Sequence, residues 1–218
     1  MIDIKTLKKA LCLILVLSMC FCAAACGKTE ETATLENGVP VQSSTTKKTD
    51  WKALYKDFLK NLTQADVDAD PKECRFTLCY IDGDKIPELV ISQGKETDCV
   101  CIVVTIVNGE IANTGPYGMN GELTYYEKSG VLIDEIGNGT NYMETICSLE
   151  NGTVAVLFEG SMRVINGREN HYVEEKLLTE EQYNAVRNKY IPKDFAEKTV
   201  TFDKCFEMTE DSIGKNVK

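Results

Sequence analysis

The stretch Tyr142-Met-Glu-Thr-Ile-Cys-Ser-Leu-Glu-Asn-Gly-Thr-Val-Ala-Val-Leu-Phe-Glu159 decides the fold. Two runs rich in β-branched and aromatic residues, Tyr142–Leu149 and Thr153–Glu159, flank Asn151-Gly152. Both turn residues tolerate positive φ, which a two-residue type I′ hairpin requires. The pattern then repeats outward. Asn-Gly recurs at 37–38, 108–109, 120–121, 138–139 and 166–167. Further strand-like runs are Cys74–Ile81, Glu88–Ser92, Cys99–Val107, Glu122–Lys128, Val131–Ile136, Met162–Ile165 and His171–Lys176. Turns this closely and regularly spaced predict a meander of antiparallel hairpins. No residue signature repeats around the turns, so these are not propeller blades.

Helices bracket the strands. Trp51, Leu54, Tyr55, Phe58, Leu59 and Leu62 form one apolar stripe at helical spacing, capped by Thr49 or Asp50, with Lys52, Lys56, Asp57 and Lys60 on the wet side. Thr179-Glu180-Glu181-Gln182 is a capping box that opens a helix carrying Tyr183, Val186 and Tyr190 until Pro192 stops it. The expected class is α+β: an antiparallel β-meander sheet with an N-terminal amphipathic helix and a C-terminal helix, forming a single domain over 51–206 with a flexible tail over 207–218.

The 218 residues carry 24 basic and 34 acidic side chains, net −10. That balance excludes nucleic acid as a partner, since phosphate binding needs a basic face. A single histidine, His171, removes most histidine-based metal sites and argues against triad chemistry.

The first residues have the layout of an export signal. Lys5, Lys8 and Lys9 precede an uncharged stretch from Ala10 to Ala25. As a helix that stretch would be about 24 Å long, short of the ~30 Å hydrocarbon core. It ends Ala23-Ala24-Ala25-Cys26-Gly27, which resembles the bacterial lipoprotein lipobox. The resemblance implies a signal peptide over 1–25 and a diacylglycerol thioether on Cys26, holding the chain on the outer face of the bacterial cell membrane. Several acyl chains make such an anchor effectively permanent. Residues 26–50, rich in Thr and Ser and poor in large apolar residues, read as a lipidated disordered linker.

Within 51–190 the chain resembles a family of uncharacterised surface lipoproteins of anaerobic Firmicutes. The resemblance rests on Trp51-Lys52-Ala53-Leu54-Tyr55, Tyr80-Ile81-Asp82-Gly83-Asp84-Lys85-Ile86-Pro87-Glu88-Leu89 and Tyr125-Tyr126-Glu127-Lys128-Ser129-Gly130. It rests also on Leu149-Glu150-Asn151-Gly152 and Glu180-Glu181-Gln182-Tyr183. It implies a surface location and this fold, and it assigns no activity.

Asp82, Asp84 and Glu88 are the sharpest candidates for chemistry. They look like a worn Ca²⁺ loop, in which alternating carboxylates converge on one ion. Tyr80 and Ile91 fall where such a loop wants carboxylates, and Lys85 falls at its glycine, so only weak Ca²⁺ binding is expected. The competing reading is a hairpin turn between strands, and it is the preferred one. Six cysteines, Cys74, Cys79, Cys99, Cys101, Cys147 and Cys205, permit three bridges, but free or partly bridged thiols are expected. A Cys–His nucleophile through His171 and an acid pair at Asp134 and Glu135 carry little weight. The loop Gly115–Gly121 is read as a long connection bearing an exposed aromatic. The sequence thus predicts a lipid-anchored, non-catalytic binding module whose partner is an envelope protein or glycan, with a glycan-acting hydrolase or its accessory subunit as the alternative.

Overall fold

The computed structural model describes residues 50–218; the export signal, Cys26 and the linker expected before Asp50 lie outside the described residues. Twelve strands are placed, in chain order: β1 (Arg75–Cys79), β2 (Glu88–Ser92), β3 (Cys101–Val107), β4 (Glu110–Tyr117), β5 (Leu123–Tyr126), β6 (Val131–Asn138), β7 (Asn141–Glu150), β8 (Thr153–Ile165), β9 (Arg168–Val173), β10 (Lys176–Leu178), β11 (Glu197–Val200) and β12 (Phe206–Glu207). Four α-helices accompany them: α1 (Trp51–Lys60), α2 (Gln64–Val67), α3 (Glu180–Arg187) and α4 (Glu210–Asn216). Among the described residues no helix is long and apolar enough to cross a membrane.

The class is α+β with antiparallel pairing, as expected, but the strands form two sheets and not one. A five-stranded sheet runs β12-β1-β2-β3-β4, and a seven-stranded sheet runs β10-β9-β8-β7-β6-β5-β11. They pack face to face over Cys79, Ile81, Val90, Cys101, Val103, Leu123, Tyr125, Leu132, Cys147 and Leu149. On the smaller sheet's other face, α1 and α4 cover Phe76, Leu89, Ile91, Ile102 and Val104 with Tyr55, Leu59, Ile213 and Val217. Strands β2 and β3 therefore have apolar partners on both sides. This is why they read as continuous apolar runs without alternation. On the far face of the larger sheet, α3 packs Tyr183 against Phe158, Ile133 and Ile146.

Short-range signals take the form that their neighbours dictate. Asp50 caps α1 by accepting from the Ala53 amide at 3.2 Å. Thr179 and Gln182 form the reciprocal capping box of α3. Asn108-Gly109, Asn151-Gly152 and Asn166-Gly167 turn their hairpins with positive φ at both residues. At Asn138-Gly139 the turn shifts by one residue: Asn138 pairs with Asn141 as the end of β6, and its side-chain oxygen accepts from the Thr140 and Asn141 amides.

Two further expectations are corrected. Residues 207–218 are not a flexible tail: β12 adds to the edge of β1, and α4 and the residue that caps it bury Ile213 and Val217 against α1. Two apolar side chains at helical spacing are enough to dock so short a helix, because a buried groove is waiting for them. The Gly115–Gly121 segment is not a free loop either. Gly115 to Tyr117 complete β4, where Pro116 is tolerated on an edge strand, and Tyr117 is buried with its hydroxyl donating to the Thr114 carbonyl at 2.6 Å.

Candidate functional site

The expected acidic cluster does converge. Asp82, Asp84 and Glu88 offer oxygens that all lie within 4.8 Å of one another. Their hydrogen bonds are those of a turn. Asp82 Oδ1 accepts from the Asp84 amide at 2.9 Å, and Asp84 Oδ1 accepts from the Ile86 amide at 2.6 Å. Glu88 is fully buried, and its Oε2 accepts from the Ile81 amide at 2.7 Å. Burial pushes its carboxyl up to about 7, against the pull of those amides.

This junction has a structural task. The turn after β5 sits on the loop after β1, with the Lys128 and Gly130 amides donating to the Tyr80 and Ile81 carbonyls, each at 2.8 Å. The Lys128 ammonium lies 5.4 Å from the centre of the Tyr80 ring. The motifs at 80–89 and 125–130 are therefore one clip that fastens the smaller sheet to the larger. A buried carboxylate that gathers backbone amides fixes such a clip, as each amide would otherwise be left unpaired.

Five of the six cysteines of the described region are buried away from solvent. All six in the described region are free thiols. Cys79, Cys101, Cys147 and Cys205 lie between the sheets, and Cys74 lies under the helices. Desolvation holds them protonated, pushing Cys79 up to about 12 and Cys74, Cys147 and Cys205 up to about 11. His171, on β9, stands on the α3 side of the larger sheet, in one cross-strand row with Met162 of β8 and Tyr142 of β7. The expected acid pair separates as well. Asp134 faces the smaller sheet and accepts from the Gly118 amide at 2.7 Å, while Glu135 points to the α3 side.

That α3 side holds a cleft where several polar side chains meet. The cleft, of about 270 Å³, is lined by Glu135, Tyr142, Glu144, Met162, His171 and Arg187, with Glu169 at its rim. Strand register places Glu135 directly opposite Glu144 and Tyr142 directly opposite Met162, so each pair shares a face. Arg187, on the last turn of α3, reaches down to Glu144. Its Nε lies 2.7 and 2.8 Å from the two carboxylate oxygens, and an Nη lies 2.6 Å from one of them. The Tyr183 hydroxyl donates to the same carboxylate at 3.3 Å, and the Tyr142 hydroxyl donates to Glu135. Burial and the adjacent carboxylates push both phenols upward, so they remain donors at any physiological pH. A second cavity of about 440 Å³, bordered by Leu177, Leu178 and Glu180, shares Glu169 and His171 with the cleft. His171 Nδ1 is buried without a hydrogen-bond partner.

Glu144, Tyr142 and Arg187 were not singled out from sequence, and no spacing could have found them. They meet only because β6, β7 and α3 fold together. The available signal was Glu144 itself, a charged residue between Tyr142 and Ile146 on one face of a strand.

No protein-family model matches the chain, and no curated protein matches it. Among solved structures it is similar to a chain described as "Structure of a Xanthomonas Type IV Secretion System related protein". The identity is 12%, the TM-score is 0.35, and the match covers 48% of this chain and 56% of that one.

Proposed function

We propose that the protein is a lipid-anchored extracytoplasmic module of the bacterial envelope that binds a partner in the cleft beside α3 without catalysis. The observation that carries the binding role is the way the polar groups of that cleft are locked. Arg187 and Tyr183 hold Glu144, and Tyr142 holds Glu135. Groups fixed in this way present a rigid, pre-ordered surface, which lowers the cost of ordering on binding. Glu144, held on both oxygens by Arg187, is not placed to act as a general base. The anchor is supported by the basic, apolar and small-residue order of the first 26 residues, which ends in Cys26. A weak Ca²⁺ site at Asp82, Asp84 and Glu88 stays the lesser reading of that turn, because oxygens of all three carboxylates already accept backbone amides.

One observation favours the glycan-acting alternative: Glu135 and Glu144 face each other across neighbouring strands in an open cleft. Intact mass of the chain taken from membranes, together with envelope capture by the full-length protein, tests both readings. A chain beginning at acylated Cys26, with capture lost in Arg187→Ala, is the expected result. An unmodified Met1 or a bare Cys26 thiol overturns the anchor. Glycan turnover abolished by Glu135→Gln replaces binding by hydrolysis.

A further inference from the structure

The α3 cleft carries more negative charge than the one guanidinium within it neutralises. Three carboxylates, Glu135, Glu144 and Glu169, face it against one guanidinium. Arg187 is committed to Glu144, whose side chain is only 4% exposed. Glu135 receives a hydrogen bond from the neutral Tyr142 hydroxyl. Glu169 stands at the rim, 64% exposed, with Nε2 of the His171 imidazole 3.9 Å from its carboxylate. Glu135 on β6 and Glu169 on β9 stand apart across β7 and β8, and the rings of Tyr142, Tyr183 and His171 and the thioether of Met162 line the cleft with them.

The shape of this arrangement selects among cations. Among the described residues, the carboxylates of the cleft do not converge as Asp82, Asp84 and Glu88 do, so they do not close around a point charge. They bracket an aromatic and apolar wall, which suits a cation carried on a hydrocarbon stem. A volume of about 270 Å³ matches one side chain or a short aliphatic chain, being below the usual size of a drug-like site. The uncompensated acids repel anions and favour an ammonium, which brings three donors to oxygens with free lone pairs.

We propose that the cleft binds a primary alkylammonium group. Glu135 accepts its N–H donors, Glu169 at the rim adds to the field that draws it in, and its methylene stem lies against Tyr142, Tyr183 and Met162. The group belongs to a free aliphatic diamine or to a lysine side chain of an envelope protein, the chemistry being the same in both. This inference rests on the reading of the cleft as a binding site and adds the class of ligand.

His171 is the sole histidine of the chain, so its ring protons report cleft occupancy without labelling. The untagged full-length protein in detergent is titrated with 1,5-diaminopentane and with Nα-acetyl-lysine amide, and the His171 resonances are followed. The same peptide unit acetylated on its ε-nitrogen, and a neutral oligosaccharide, serve as the other arms. The expected result is a saturable shift with one or both amines and none with the acetylated compound. Glu135→Gln is expected to weaken binding at least tenfold and Glu169→Gln several-fold, each with an unchanged melting curve. The rim position of Glu169 keeps the test open if Glu135→Gln fails to fold. A response to the diamine alone assigns a free amine, and a response to the lysine unit alone assigns a protein side chain. No saturable shift with either amine, equal binding of the acetylated compound, or full binding by both variants overturns the proposal. A His171 shift with the oligosaccharide alone overturns the ammonium while leaving the cleft a binding site. Envelope capture left unchanged by all three cleft substitutions, Arg187→Ala, Glu135→Gln and Glu169→Gln, removes the binding reading itself.

Discussion

Glu88 Oε2 lies 2.7 Å from the Ile81 amide, beneath the loop that clips the two sheets together. The carboxyl is fully buried, and burial outweighs its hydrogen bonds, so its pKa rises from 4.5 to about 7. A carboxyl with a raised folded pKa binds its proton more tightly in the folded state. Its contribution to stability is therefore whole below about pH 4.5 and is lost as the pH climbs through 7. The size of that loss is roughly 3 kcal/mol. Urea unfolding between pH 4.5 and 8 should show it, and Glu88→Gln, which keeps an acceptor for Ile81, should flatten that part of the profile. A wild-type midpoint that holds steady over this interval contradicts the assignment.

The Arg187–Glu144 pair predicts an asymmetry. Glu144 is almost wholly enclosed, while Arg187 keeps a quarter of its side chain in water. Arg187→Ala strands a buried carboxylate and should cost about 3 kcal/mol. Glu144→Gln leaves a guanidinium that can turn outward and should cost about 1 kcal/mol. Denaturant midpoints of the two variants decide the order, and equal losses count against it.

Gly160 matters for the room it leaves. It sits in β8 directly opposite Glu144, and a methyl group added there would overlap the Tyr183 hydroxyl and press on the Phe158 ring. Tyr183 is the residue through which α3 is pinned to the sheet. Gly160→Ala should therefore cost about 1–3 kcal/mol by overpacking and should also weaken ligand binding in the cleft. Thermal melting and titration of the same sample separate the two effects. An alanine that melts as the wild type does means that the helix adjusts freely.

How much of this was legible beforehand follows from how local each feature is. Asn151-Gly152 and the Thr179–Gln182 box carry their geometry in neighbouring residues, and they fold as read. The division into two sheets is set by which hairpins pair, and hairpins that look alike give no hint of it. Strand β11 escaped because Glu197-Lys198-Thr199 is exposed and only Val200 is buried, so no alternation marks it. It is held from outside, by pairing with β5 and by the Tyr126 hydroxyl donating to Glu197 at 2.6 Å. The cleft was hidden for the same reason. Asp134 and Glu135, neighbours in sequence, part to opposite faces, whereas Glu135 meets Glu144 only across a strand pair.

The thiols give a direct test of the packing. Five of the six cysteines in the domain are buried, and Cys99, in the approach to β3, is partly exposed. Since the thiolate is the reacting form, burial and raised pKa protect the five together. Brief alkylation of the native protein, followed by peptide mapping, should modify Cys99 first, and the others only in denaturant. Early modification of Cys79 or Cys101 would mean that the sheets separate readily.

The β9–β10 hairpin turns on Glu174-Glu175, with φ of 51° and 63°. Left-handed backbone at two consecutive glutamates is strained, and the Asn-Gly pairs elsewhere in this chain are what such turns ordinarily use. The two acids also repel each other at the tip. The double substitution Glu174→Asn with Glu175→Gly should raise stability by about 1 kcal/mol and slow amide exchange in β10, whose Leu177 and Leu178 wall the larger cavity. Because β10 is a three-residue edge strand, it has little besides its turn and one neighbour to hold it. An unchanged midpoint with faster exchange would show that the glutamates are tied down by contacts of their own. A stabilised hairpin would instead make β10 the mobile wall of the cavity, one that this turn leaves loose.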